Sequence, residues 1–210
     1  MPMDKFNLQN VSVMIVDDYA PMRKLVVSLL RELGISRLCQ APSGEAALKS
    51  LKDFEPDVIL ADAIMEPMDG LEFTRRVRDG EAGVSPFIPI IMISGQAEMQ
   101  HILKARDAGV TEFLAKPISA RAIYSRLCNV ISNPRPFIRA PNYFGPDRRR
   151  LEAPFKGDDR RSKPHVYVKA EHKGGEDTEA WPDQEDARKE TRDAPSGAKS
   201  AKPKATGKTK

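Results

Sequence analysis

Residues 11–18 read Val-Ser-Val-Met-Ile-Val-Asp-Asp, a nearly unbroken apolar run that ends on two carboxylates. A strand that is apolar on successive residues suits a sheet covered on both faces, because alternate side chains point to opposite sides. Two more runs of this kind follow, Val58–Ala61 and Ile88–Ile93, and shorter strand candidates lie at Ile35–Gln40 and Thr111–Ala115. Between them the apolar period changes from two to about 3.6. Met22, Leu25, Val26, Leu29, Leu30 and Leu33 share a helical stripe that Gly34 ends. Ser43 is placed to cap a helix from Gly44 to about Asp53. Leu71–Arg78 reads as a third helix, followed by a loop rich in Gly and Pro from Gly80 to Pro86. Ala97–Ala108 reads as a fourth, stopped by Gly109. Ser119 caps a last one carrying Ala122, Ile123, Leu127, Val130 and Ile131.

Five strands alternating with five helices predict an α/β fold with a doubly wound parallel sheet, since parallel neighbours need crossover connections. Ligands of such sheets sit beyond the carboxyl ends of the strands. The residues that fall there are Asp17 and Asp18 after the first strand, Asp62 after the third, Ser94 after the fourth and Lys116 after the fifth. Three carboxylates brought to one strand edge repel unless a cation neutralises them. Oxygen ligands favour a hard ion such as magnesium. A carboxylate can also act as a nucleophile and become an aspartyl phosphate, whose oxygens then need donors such as a hydroxyl and an ammonium. Singly, each element has a plainer reading. Asp17-Asp18 can be a turn with a helix cap, Ser94 a cap, Phe113 a core residue, and Lys116-Pro117 the end of a strand. The joint pattern outweighs them.

That pattern is Asp17-Asp18, then Asp62-Ala-Ile-Met65-Glu-Pro67-Met68-Asp69-Gly70, then Ser94-Gly95, then Lys116-Pro117. It resembles the receiver domain of two-component response regulators, chemotaxis receivers among them, over roughly residues 9–132. The resemblance implies a flavodoxin-like strand order 2-1-3-4-5 and a cis bond at Lys116–Pro117. It implies Asp62 as the phosphoacceptor, and Mg2+ held by Asp17, Asp18, Asp62 and the backbone carbonyl of Ile64. Ser94 and Lys116 would meet the phosphoryl group, and Ser94 and Phe113 would carry the switch. The implied partners are a sensor histidine kinase or phosphotransfer protein upstream and a protein partner downstream. The implied chemistry is self-phosphorylation and self-dephosphorylation rather than turnover as an enzyme. Pro67 lies one residue later than the usual family spacing, with Glu66 in the usual proline position, so the loop after Asp62 differs in charge and shape. A metal-dependent phosphohydrolase would share the carboxylates and the sheet. Such enzymes resemble one another in an Asp-x-Asp nucleophile motif, however, and position 64 is Ile; a glycine-rich phosphate loop is also missing.

Composition divides the chain. Residues 1–133, read as the receiver, hold 15 Lys and Arg against 17 Asp and Glu, whereas residues 134–210 hold 19 against 13. Pro134, Pro136, Pro141, Pro146 and Pro154 mark the change, and apolar periodicity stops there. Residues 134–170 form a basic segment in which Tyr143-Phe-Gly145-Pro-Asp147-Arg148-Arg149 is echoed by Phe155-Lys-Gly157-Asp-Asp159-Arg160-Arg161. Protein docking is the first reading of this segment, a solvated linker the second and nucleic-acid binding the third, because no helix pair suits DNA reading. Residues 171–210 are charged and low in complexity, which predicts disorder. The tail as a whole is expected to stand apart from the receiver core. No apolar run approaches the ~20 residues of a membrane span, and the N-terminus lacks a secretion signal. Cys39 and Cys128 read as buried free thiols, which places the protein in the cytoplasm.

Overall fold

The computed structural model describes residues 7–148, apart from 82, 84 and 97, together with residues 166–168. Five strands, β1 (Ser12–Val16), β2 (Arg37–Ala41), β3 (Val58–Asp62), β4 (Ile90–Ser94) and β5 (Glu112–Ala115), form one parallel sheet. Its order is β2-β1-β3-β4-β5. Five helices connect and cover it: α1 (Ala20–Glu32), α2 (Gly44–Ser50), α3 (Gly70–Arg78), α4 (Met99–Ala108) and α5 (Ala120–Ser132).

Strand alternation builds two cores from one sequence. Val13 and Ile15 of β1 join Val58, Leu60, Ile91, Ile93 and Leu114 beneath α1 and α5, which contribute Val26, Leu30, Ile123, Leu127 and Val130. The intervening residues Met14 and Val16 face the other way. They pack with Ile59, Ala61 and Ile90 against α2 and α3, through Ala47, Leu51, Phe73 and Val77. A smaller cluster of Met92, Ala105 and Val110 underlies α4. Every residue of β1, β3 and β4 is buried, as expected for central strands covered on both faces.

Beyond α5 the structure departs from the sequence expectation. Strands β6 (Phe137–Ala140) and β7 (Tyr143–Pro146) form an antiparallel hairpin, and β8 (Val166–Val168) pairs with the other edge of β6. The hairpin does not stand apart. Phe137 is buried, and its ring lies 5.1 Å from that of Phe87 in the Gly/Pro-rich loop before β4. Phe144 completes the cluster, 5.4 Å from Phe87 and 5.7 Å from Phe137. Beneath Phe137 sits Arg78, the last residue of α3, with its guanidinium 5.1 Å from the ring centroid. Arg78 is buried without a carboxylate partner among the described residues. It donates instead to the carbonyls of Gly109 (3.0 Å), Pro86 (2.7 Å) and Ile88 (2.8 Å). Burial pulls its pKa down to about 9, which leaves it protonated at neutral pH. Arg135 ties the same pole to β5 by donating to the Thr111 carbonyl, and also donates to the Asp147 carbonyl.

Among the described residues, the hairpin and β8 therefore group with the receiver in one compact unit. The physical reason is the aromatic cluster: apolar area that periodicity did not register is buried against a loop. Of the repeated motif, the unit from Tyr143 to Arg148 falls within the described residues, whereas Arg149 and the unit from Phe155 to Arg161 lie outside them. Residues 171–210 also lie outside. Cys39 and Cys128 are free thiols, half-buried rather than buried. No helix among the described residues is long and apolar enough to cross a membrane.

Candidate functional site

The carboxyl ends of β1 and β3 deliver Asp17, Asp18 and Asp62 to one place. Each offers a carboxylate oxygen, and these oxygens lie within 4.8 Å of one another. Asp17 and Asp62 are buried at 3% and 7% exposure, while Asp18 is exposed. Lys116, directly after β5, brings its ammonium to 2.9 Å from Asp62 Oδ1. The Lys116–Pro117 bond is cis, and the Lys116 amide donates to the Ser94 carbonyl. One ammonium among three carboxylates leaves the cluster short of positive charge.

Asp17 shows that shortage most sharply. Its Oδ1 accepts the Tyr19 amide at 2.8 Å, forming a local turn. Its Oδ2 is buried and has no hydrogen-bond donor among the described residues. Burial lifts its pKa above the usual carboxylate range, and the charges of Asp62 and Asp18 push the same way. The Tyr19 amide and Lys116 oppose this only in part. A buried carboxylate oxygen without a partner costs free energy unless a cation supplies one. The donor set, all carboxylate oxygen, suits a hard divalent ion that keeps part of its water shell.

The loop after Asp62 is shaped by packing on one side and by steric exclusion on the other. Met65 and Met68 are buried, whereas the side chain of Ile64 is 59% exposed, which leaves only its backbone to serve the site. The Glu66 amide donates to Asp18 Oδ2 at 3.3 Å, and the Glu66–Pro67 bond is cis. Gly70 opens α3 directly against β3, where a Cβ would overlap the Asp62 carbonyl oxygen. Asp69 caps α3 by accepting the Glu72 amide at 2.7 Å.

Ser94 ends β4 one residue beyond Ile93, the register partner of Asp62. Its hydroxyl is engaged within its own loop, accepting the Gln96 amide at 3.0 Å and donating to the Gln96 carbonyl at 3.3 Å. Phe113 is half-buried and packs against the cluster of Met92, Ala105 and Val110. The sequence-derived residues thus fall into an assembled group, Asp17, Asp18, Asp62 and Lys116, and a peripheral pair, Ser94 and Phe113. Sequence reading passed over Arg23. Its guanidinium donates to the backbone carbonyls of Asp17 (2.7 Å) and Asp18 (3.2 Å), which steadies the loop that carries both carboxylates. Periodicity gave no signal for it, because its partners are main-chain atoms outside the helix.

Comparison with known proteins follows the same outline. The response regulator receiver domain matches residues 13–128, more than half of the chain. The chemotaxis protein CheY-3 of Vibrio cholerae is 33% identical over 119 residues, covering 57% of this chain and 90% of that protein. The chemotaxis protein CheY of Pseudomonas aeruginosa is 31% identical over 117 residues, covering 56% and 93%. Among solved structures, a receiver domain of a Pseudomonas aeruginosa sensor histidine kinase, with a magnesium ion coordinated in its active-site cleft, superposes with a TM-score of 0.53. It is 27% identical, covering 58% of this chain and 98% of that one. With five strands in this order and this match along them, the chain belongs to the response regulator receiver family.

Proposed function

We propose that this protein is a phosphorelay switch that accepts a phosphoryl group on Asp62 and changes its partner binding as a result. The observation that carries this reading is the Asp17–Asp18–Asp62 cluster with its unpartnered buried Asp17 Oδ2, faced by Lys116 at 2.9 Å from Asp62. Mg2+ would be held by Asp17, Asp18, Asp62 and the Ile64 carbonyl, where it would neutralise the carboxylates and the incoming phosphoryl oxygens.

The chain's own residues supply the rest. Lys116 holds Asp62 Oδ1, which leaves Oδ2 as the nucleophile. As an Asp62 oxygen forms its bond to phosphorus, the bond from phosphorus to the donor nitrogen of a phosphohistidine breaks, and that nitrogen keeps the electron pair. The donor is a histidine kinase or phosphotransfer protein, as the family membership supports. Lys116 then pairs with the phosphoryl oxygens. The Ser94 hydroxyl, released from Gln96, supplies a second donor. Phe113 follows into the space that Ser94 vacates. The ligand shifts the equilibrium by favouring one of two arrangements.

The test is incubation with a small phosphodonor and Mg2+, followed by intact mass. Wild type should gain one alkali-labile phosphoryl group and Asp62→Asn none. Undiminished labelling of Asp62→Asn would overturn the assignment.

A basic tail reading nucleic acid is the weaker alternative. Arg148, one of the arginines on which it depends, lies 3.9 Å from the Tyr143 ring centroid and 3.3 Å from Asp107, engaged within the protein.

A further inference from the structure

Helix α4 is anchored at one end. Its buried residues are Ala105 and Ala108, both in its carboxyl half. At its amino end Glu98 makes no side-chain cap, the first turn has no acidic residue, and Met99 is 69% exposed. Leu103, at mid-helix, is 38% exposed. This loosely held end follows the loop in which Ser94 bonds to Gln96.

The carboxyl end is gripped by the C-terminal hairpin. Gly109 ends α4 in the left-handed conformation and receives the Arg78 guanidinium on its carbonyl. Gly145 of β7 approaches so closely that a Cβ there would come within 2.9 Å of Gly109 Cα. A Cβ on Gly109 would in turn meet the Phe144 carbonyl oxygen at 3.2 Å. Arg148 stacks on Tyr143 and reaches Asp107 in the last turn. Arg135 holds the Thr111 carbonyl at the entry to β5. Between α4, β5 and α5 remains a groove of about 400 Å³, lined along α4 by Ile102, Leu103, Ala105 and Arg106 and across from it by Phe113, so the middle of the helix has room to shift.

We propose that the hairpin makes Gly109 the pivot of the switch: on phosphorylation the amino end of α4 moves, while its carboxyl end stays clasped by Gly145, Tyr143 and Arg148. The device rests on the phosphoacceptor role of Asp62 and adds to it. Close backbone packing of two glycines is not continuously deformable, so displacement collects at the unpacked end. The first aromatic–Gly–acid–Arg unit thereby acts as an internal clasp instead of a surface for partners.

Hydrogen exchange of the full chain tests this, with and without Mg2+ and beryllofluoride as the phosphoryl mimic. In the wild type, amides of residues 98–103 should change their exchange by about tenfold on activation, while those of residues 107–111 change by less than about twofold. In Phe144→Ala, and more mildly in Arg148→Lys, the change should extend into residues 107–111. In the resting state these variants should already exchange there about tenfold faster than wild type. Equal responses at both ends of α4 in the wild type would overturn the pivot, as would a wild-type pattern in both variants. Amides of residues 62–70 report on the site itself. If they do not respond to beryllofluoride, the phosphoacceptor reading fails and the pivot falls with it; if they respond but α4 moves as one body, the pivot alone is wrong.

Discussion

Lys116 Nζ stands 2.9 Å from Asp62 Oδ1, so its ammonium already lies beside the carboxylate to which the proposed function assigns the phosphoryl group. It is also the cation facing a cluster of three carboxylates, two of them buried. Its removal therefore has opposite effects on the two events at the site. Lys116→Met should tighten Mg2+ binding by roughly threefold to tenfold, an electrostatic gain of about 1 kcal/mol for a partly exposed charge. The same variant should lose phosphorylation-dependent changes, because the phosphoryl group loses its fixed donor. Calorimetric titration with Mg2+ checks the first effect, and exchange of α4 amides under beryllofluoride checks the second. Weaker Mg2+ binding in Lys116→Met would show that the lysine organises the site more than it repels the ion.

Asp17 predicts a pH dependence with a definite sign. Its folded pKa is raised, chiefly by burial and then by the neighbouring carboxylates. Where both folded and unfolded states are protonated, at pH below the ordinary aspartate value of about 3.9, the group does not oppose folding. As pH rises through the folded value, the buried carboxylate ionises and stability is lost. In Mg2+-free buffer, Asp17→Asn should therefore melt a few degrees above wild type at neutral pH, the scale of about 1 kcal/mol in a chain of this size. That advantage should fade as pH falls into the acid range. Mg2+ should raise the wild-type Tm and leave Asp17→Asn nearly unchanged. Thermal melts at several pH values, each with and without Mg2+, decide it.

Gly70 predicts coupled loss of site and stability. A Cβ there would overlap the Asp62 carbonyl oxygen, which belongs to the backbone of a central strand and cannot swing aside. Gly70→Ala should cost about 1–3 kcal/mol, the range for overpacking. It should also weaken Mg2+ binding, because the end of β3 must shift and Asp62 with it. Denaturant melts paired with Mg2+ titration test this, and a variant with wild-type affinity would show that α3 moves in place of β3.

How much of this was legible in the sequence depended on which signals were local. β1, β3 and β4 could be read because both faces of each strand are covered, so the apolar runs are unbroken. The site followed from strand ends, where Asp17, Asp18, Asp62 and Lys116 had to converge once the sheet was parallel. What could not be read depended on distant partners. Arg78 looks like the polar end of an amphipathic helix, yet it is buried because carbonyls from the β4 approach and from Gly109 surround it. Glu112 opens a short strand and is buried against Asn129 and Arg126 of α5. Phe137 and Phe144 sit among prolines in four-residue strands, too short to show alternation, and their burial comes from Phe87 some fifty residues earlier. Proline density marked a change in the chain at residue 134, but it did not mark the end of the packed unit.

The packing of the hairpin yields the last prediction. If residues 134–210 stood apart from the receiver core, a chain cut near Ser132 would fold as well as the whole. The structure predicts otherwise, because the cut would expose Phe87 and uncover the Arg78 guanidinium, together with the ends of α4 and β5 that Tyr143, Arg148 and Arg135 hold. Removing one anchor shows the effect without removing the strands. Phe137→Ala should cost about 3 kcal/mol, the lower end for truncating a buried phenylalanine, which lowers Tm by roughly 6–12 °C in a chain of this size. Arg78→Ala should cost at least as much, since the Gly109, Pro86 and Ile88 carbonyls lose their donor and each buried unsatisfied group costs about 1–3 kcal/mol. Arg139→Ala serves as the control. Its guanidinium rests on the outer face of Phe144 at 4.5 Å from the centroid, in an exposed position. It should shift stability by less than about 1 kcal/mol, as exposed cation–π contacts do. Denaturant melts of the three variants and the truncated chain give the ranking directly. If the truncated chain and Phe137→Ala both melt with wild type, the hairpin contributes nothing to the fold, and the sequence-based boundary near residue 133 stands.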